Sequence, residues 1–223
     1  MLQDSELYAS MKFSKRNLYL LGFLTLFGFS AVGAVIIYYL IDRPVMSMFD
    51  HGLDVGYQLI AGAAYGATVS LIAWRIIVSD LMTEVRVFFV ELFQEQEFKF
   101  MDLLFLSFCA GVGEEVLFRG AVQFYLGIWL TSLVFILLHG YINPKNWRLS
   151  IYGIFMVFLS AGLGYLYEYV GIISAMTAHF TIDLILLILI RGYKLPVSVP
   201  SINEVIPEPQ PDTDEDQHEP PKQ

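Results

Sequence analysis

One cysteine in 223 residues, and charge at only 16% of positions, are the shortages that bound what this chain can be. A soluble domain carries about 25% charged residues, so the deficit points to lipid rather than water as the surrounding medium. The single thiol, Cys109, excludes an intramolecular disulfide and a thiolate metal cluster, and its apolar setting makes it a small buried hydrophobe. Proline is scarce outside one region: seven of the nine lie beyond residue 194. No basic patch with interleaved aromatics is present, which excludes a nucleic-acid partner. HExxH, GxSxG and Walker patterns are absent as well.

Long apolar runs are what the chain has in plenty. Hydrophobic residues make up 56% of it, and about 20 in succession cross about 30 Å of hydrocarbon. Residues 17–41 contain no charge, a run longer than the roughly 7–15 residues of a signal-peptide core, so a retained transmembrane helix is expected there. Further runs cover about 55–78, 101–125, a short 126–139, 149–167 and 170–190. Gly62 and Gly66, four apart, give the second of these a small-residue face for close helix approach. Residues 79–100 mix acids, bases and aromatics at helical spacing and read as an amphipathic helix lying in the interface. The expected fold class is therefore all-α: a polytopic membrane helix bundle of about six transmembrane helices plus one interfacial helix.

The net charge of −9 is uneven, because seven acids against Lys222 alone give the stretch from Leu195 onward −6 of it. Such a segment cannot bury enough apolar surface to offset its ordering entropy. Three regions follow: a cytoplasmic arm at 1–16, a helix bundle at 17–192 with its core at about 55–192, and a disordered acidic, Pro-rich tail at 193–223. The tail is a candidate docking segment for a protein partner. Lysine and arginine concentrate on the cytoplasmic side of membrane proteins. With six crossings, Lys12, Lys15 and Arg16, then Arg75, Arg86 and Lys99, then Lys145 and Arg148, then Arg191 and Lys194 all fall on one side, and only Arg43 on the other. The expected location is the plasma (inner) membrane, multi-pass, with both termini cytoplasmic.

Ionisable side chains inside spanning segments are rare and mark function. Here they are Glu114, Glu115, Arg119, His139, Glu168, His179 and Asp183. On a helix, Glu115 and Arg119 stand four apart and can pair, while Glu114 points elsewhere. A structural Glu–Arg bridge needs one carboxylate, and the second is left over for chemistry. His139 closes a short helix one turn after Phe135, and its plain reading is an interfacial histidine. His179 and Asp183 are four apart, a spacing that suits one metal ion, one held proton or a local hydrogen bond. Glu168 falls at a helix end and reads as interfacial; His51 and His218 read as solvated. Glu114, His139 and His179, from three helices, together are the ingredients for activating a water. Neutral imidazoles bind zinc, which acidifies bound water, and a glutamate beside it can act as general base and then general acid. Gly111 and Gly113 allow tight packing beside the glutamates.

Read together, EEVLFR at Glu114–Arg119, FILLH at Phe135–His139 and HFTID at His179–Asp183 resemble the EExxxR, FxxxH and HxxxN motifs of the CPBP family, the CAAX proteases and their bacteriocin-processing relatives, also called the Abi family. The resemblance implies an all-helical intramembrane endopeptidase whose substrate is a peptide or membrane-anchored protein, prenylated in the best-known members. It makes Glu114 and His139 similar to the water-activating pair, with His179 and Asp183 as the pair that stabilises the oxyanion or holds a metal. Glu115 and Arg119 resemble the supporting ion pair, and Phe135 belongs to the second motif. If a metal is bound, Glu114, His139 and His179 are its expected ligands and zinc its expected identity. Asp183 departs from the asparagine of many relatives, and an ionised aspartate cannot donate to an oxyanion. Two other classes remain open from the residues alone: a non-catalytic scaffold or chaperone of a partner membrane protein, and a proton-relay transporter.

Overall fold

The computed structural model describes residues 14–94, 98–144 and 146–194. The first thirteen residues of the expected arm, the expected tail from residue 195, residues 95–97 of the amphipathic stretch and Lys145 lie outside them. Among the described residues the main helices are α1 Lys15–Leu40, α2 Val55–Ile77, α3 Thr83–Gln94, α4 Phe100–Leu117, α5 Gln123–Leu138, α6 Trp147–Tyr169 and α7 Ile172–Gly192. A π-helical stretch, Phe118–Val122, joins α4 to α5. Among the described residues there is no β-strand. Five runs are long and apolar enough to cross a membrane: α1, α2, the joined α4–α5 run, α6 and α7.

The joined run corresponds to the third and fourth segments expected from the sequence. A straight helix over Phe100–Leu138 would be about 58 Å long, twice the hydrocarbon thickness. The run breaks at Gly127, whose φ of 66° and ψ of 177° are open to glycine but strained for other residues. Glu114 and His139 side chains approach to 3.6 Å, whereas a straight helix would hold them about 37 Å apart. The chain therefore doubles back at Gly127, midway between them. After the break α5 extends only about 16 Å, so the expected fourth crossing is a half-span. Residues 139–144 follow α5, and α6 starts at Trp147.

Contacts fix the direction of each helix. Tyr19 meets Asp102 and Gly33 meets Val116, so α1 runs parallel to α4. Arg119 bonds Ser160 and Gln123 bonds Gly164, so α6 runs parallel to α4 as well. Arg191 bonds the Phe98 carbonyl and His179 meets Glu115, which makes α7 antiparallel to them. Gln58 caps Ile173 and Gly66 lies on Ala178, so α2 follows α7. One end of the bundle thus gathers Lys15, Arg16, Arg75, Arg86, Lys99, Arg148, Arg191 and Lys194, and the other end has Arg43.

Apolar surface gains nothing by leaving lipid, so close packing of small residues has to hold such helices together. Phe27, Tyr39, Ile60, Leu71 and Phe158 accordingly face outward. At Gly66, a Cβ would sit 2.7 Å from the Ala178 carbonyl oxygen, and one at Gly62 would come closer still to the Ser174 carbonyl oxygen of α7. Gly111 presses on the Phe180 backbone of α7, and Gly113 on Thr25 and Leu26 of α1. Those two glycines bring α1 and α7 against α4 on either side of the paired glutamates.

Two buried ions act outside that region. Asp102 accepts from the Lys99 backbone N–H at 2.7 Å, capping α4, and pairs with Tyr19 and Lys15 to tie α1 to α4. Arg86 of α3 is buried and donates to the carbonyls of Ile77 at 2.9 Å and Ser79 at 3.0 Å. A cation there complements the negative end of the α2 dipole. At about 18 Å, α3 is too short to cross a bilayer.

Candidate active site

Glu114 and Glu115 lie in the last turn of α4, and Arg119 in the π-helical stretch that follows. Such stretches insert one extra residue per turn and cluster at functional sites. Arg119 and Glu115 are both fully buried, and Arg119 Nε donates to Glu115 Oε2 at 3.0 Å. Arg119 Nη2 donates to Ser160 Oγ of α6 at 2.9 Å, and the guanidinium stands over the Phe135 ring. The second carboxylate, Glu114, takes a different direction. Its Oε2 is buried and hydrogen-bonds to no described residue.

Both histidines face that free oxygen. His139 caps the end of α5, and its Nδ1–H donates to the Phe135 carbonyl at 2.7 Å, since a carbonyl can only accept. Its Nε2 is then the nitrogen turned toward Glu114, 3.6 Å from Oε2. His179, midway along α7, donates its Nδ1–H to Glu115 Oε1 at 2.8 Å. Its Nε2 lies 3.8 Å from Glu114 Oε2 and 3.6 Å from Asp183 Oδ2. Separations of 3.6–3.8 Å are too long for direct hydrogen bonds. One water about 2.8 Å from each partner would bridge them. Phe135 packs on both rings, with centroids 4.3 Å from His139 and 5.9 Å from His179.

All seven expected site residues, Glu114, Glu115, Arg119, Phe135, His139, His179 and Asp183, thus share one cluster. His139 and Asp183 are its open members, with side chains 34% and 31% exposed, while His179 and Glu115 are closed off. The cluster is thus open on the side of His139 and Asp183. His139 titrates above its ordinary value: burial pushes it down, but the Glu114 carboxylate and the Phe135 carbonyl push it up by more.

Two neighbours had no signal in the sequence. Ser160 is one hydroxyl among many on an apolar helix, and only the approach of α6 makes it a partner of Arg119. Tyr141 lies two residues past His139, its ring parallel to the imidazole within 3° at a 6.1 Å centroid distance. Burial, helped by the charges of Asp183 and Glu114, pushes its phenol up to about 12, so it stays protonated at neutral pH. By contrast, His51 and Glu168 sit at the far end of the bundle around a separate cavity.

The donor types would suit zinc: two imidazoles, each with its other N–H bound to an acceptor, and a carboxylate. Among the described residues, however, no three such side chains are arranged to hold one ion.

Residues 96–185 match the family model of the Rce1-like type II CAAX prenyl endopeptidases. That stretch contains all three motifs. A curated relative, described as the uncharacterized protein YpbD of Bacillus subtilis (strain 168), is 39% identical over 90 residues, covering 40% of this chain and 46% of that protein. The chain spans about half the length of that relative. No solved structure matches it. With five apolar helices of spanning length and a match to a membrane-protease family, the chain is a multi-pass integral membrane protein.

Proposed function

We propose that this chain, whose residues 96–185 match the Rce1-like type II CAAX prenyl endopeptidase model, is an intramembrane endopeptidase of the CAAX-protease (CPBP) type that cleaves a peptide bond with a water held between Glu114 and His139. The observation that carries this reading is the Oε2 atom of Glu114, buried, without a hydrogen-bond partner among the described residues and faced by the Nε2 atoms of two histidines. A carboxylate in that position is a base with nothing to do until water arrives.

In the proposed reaction, Glu114 takes a proton from the water as its oxygen attacks the scissile carbonyl carbon. The carbonyl π electrons move onto oxygen and give a tetrahedral oxyanion. Glu114 then returns the proton to the amide nitrogen as the C–N bond breaks, leaving a new carboxyl and a free amine. His139, fixed through Phe135, orients the water. His179, fixed through Glu115, presents Nε2 toward the reacting centre, and in its imidazolium form that N–H donates to the oxyanion. Asp183, 3.6 Å from His179 Nε2, supplies a charge complementary to the imidazolium form of His179, whereas an ionised carboxylate cannot itself donate to the oxyanion. Arg119, held by Ser160, neutralises Glu115 so that the pair of adjacent acids does not carry two uncompensated charges.

The gathering of eight basic residues at one end supports a cytoplasmic assignment for that end, by the preference of lysine and arginine for that side. The open flank of the cluster, at His139 and Asp183, lies toward the same end. Substrate is then a peptide or membrane-anchored protein that enters from the cytoplasmic leaflet. Purified protein in vesicles, given prenylated and unprenylated peptides of one sequence, tests both layers. Glu114→Gln is expected to lower kcat by about 100- to 10,000-fold with the fold retained. Full activity in that variant would end the reading, and equal cleavage of the two peptides would exclude prenyl selectivity alone.

A further inference from the structure

At the end of the bundle away from the basic clusters lies a cavity of about 380 Å³ that neither His139 nor His179 lines. Arg43, Ser47, His51 and Glu168 stand around its mouth, and Arg119 and Gln123 form its floor. Two floor atoms have no hydrogen-bond partner: Nη1 of Arg119, in a residue with no exposed surface, and Oε1 of Gln123, in one 5% exposed. The rest of both side chains is committed. Arg119 uses Nε and Nη2 on Glu115 and Ser160, and Gln123 uses Nε2 on the Gly164 carbonyl. An unpaired buried donor and an unpaired buried acceptor on residues that line one cavity are costly unless something in it answers them.

We propose that the cavity binds a phosphate group accompanied by a hydroxyl, the chemistry of an anionic glycerophospholipid headgroup. Arg119 Nη1 donates to a phosphate oxygen from the floor, Arg43 supplies a second guanidinium at the mouth, and the hydroxyl donates to Gln123 Oε1. Guanidinium groups match phosphate in geometry as well as charge. Glu168 is the opposing charge, but it is exposed and screened by solvent. His51 donates Nε2–H to the Tyr167 carbonyl at 3.0 Å and adds no negative charge. The position suits a headgroup independently of the charges. Tyr38, Tyr39, Tyr125, Trp129 and Tyr169 are exposed around this end, and exposed Tyr and Trp mark the headgroup level of a bilayer. Because Arg119 also holds Glu115, and Glu115 holds His179, an occupant of the cavity is linked to the histidine cluster through two hydrogen bonds.

Inorganic phosphate shares this chemistry, so the test separates the two sources and needs no peptidase activity. Full-length protein is exchanged into nanodiscs of phosphatidylcholine with a minor share of phosphatidylglycerol, and retained lipid is counted by native mass spectrometry. In parallel, inorganic phosphate is titrated in neutral detergent and followed by its ³¹P linewidth. One phosphatidylglycerol is expected to stay with each chain while phosphatidylcholine exchanges away. Arg43→Gln, at an exposed position, and Gln123→Leu are each expected to lower retention at least tenfold, with circular dichroism confirming the helical fold. Binding of inorganic phosphate with no lipid preference would keep the site and assign it to a solute. Retention unchanged in both variants, or neither preference for phosphatidylglycerol nor phosphate broadening, would overturn the proposal.

Discussion

Glu115 sits between His179 and Arg119, accepting from His179 Nδ1 at 2.8 Å with one oxygen and from Arg119 Nε at 3.0 Å with the other. A single buried carboxylate thereby fixes the tautomer of a histidine on α7 and neutralises a cation in the π-helical stretch beside its own helix. The adjacent Glu114 is left without such duties.

Replacing that carboxylate separates its two tasks. In Glu115→Gln the amide keeps one acceptor oxygen and turns an NH₂ toward either the imidazole or the guanidinium. Loss of a positioning partner is expected to lower kcat about 10- to 100-fold. The uncompensated buried arginine is expected to cost about 3–5 kcal/mol of stability. Turnover and denaturation in the same detergent check both, and an unchanged kcat in a folded variant would remove Glu115 from the positioning of His179.

The pH dependence of stability follows from His139, whose folded value lies above the ordinary 6.5 because Glu114 and Phe135 outweigh burial. A raised folded value means that the imidazolium–carboxylate pairing stabilises the fold fully below the unfolded value. That contribution is lost as pH rises through the folded one. The Tm of His139→Gln should therefore fall below that of the wild type in mildly acidic buffer and converge with it in alkaline buffer. A gap constant across the range would count against the pairing.

Helix packing gives a test independent of chemistry. Gly66→Leu puts a side chain where even a Cβ would meet the Ala178 carbonyl at 2.7 Å and Thr181 beside it. Overpacking of this kind costs about 1–3 kcal/mol. Gly56→Ala on the same helix meets nothing within 4 Å, and thermal unfolding should show it neutral. Equal behaviour of the two would mean that α2 does not seat on α7 through Gly66.

The spacing of the donors bears on metal dependence. Glu114 Oε2 stands 3.6 Å and 3.8 Å from the two Nε2 atoms, and no trio of donors among the described residues is placed to share an ion. If Glu114 and His139 activate the water unaided, hydrolysis by the purified protein is expected to survive dialysis against EDTA. Activity lost on dialysis and restored by zinc alone would make Glu114, His139 and His179 ligands after all.

How much of this was legible beforehand depended on the range of each interaction. The i,i+4 pairs Glu115–Arg119 and His179–Asp183 could be read directly, because a helix places such residues on one face whatever surrounds it. The roles of Gly62, Gly66, Gly111 and Gly113 as contact points were also readable, since small residues among large apolar ones have few other uses in lipid. Asp102 was passed over because it stands near a span boundary, where a solvated carboxylate is the ordinary outcome; its partners Tyr19 and Lys15 come from a different helix. The fourth segment was recognisably short, yet its return to Glu114 required the conformation of Gly127.

By itself, the sequence determined the solvent, the helical class and the angular position of each ionisable group on its own helix. Those follow from composition and from a period of about 3.6 residues, both local properties. Only the tertiary structure decided that Glu115 would reach His179, that Arg119 would find Ser160, and that the chain would fold back to set His139 before Glu114. Those approaches depend on which glycine meets which backbone and where one residue turns left-handed, and such contacts arise between helices far apart along the chain.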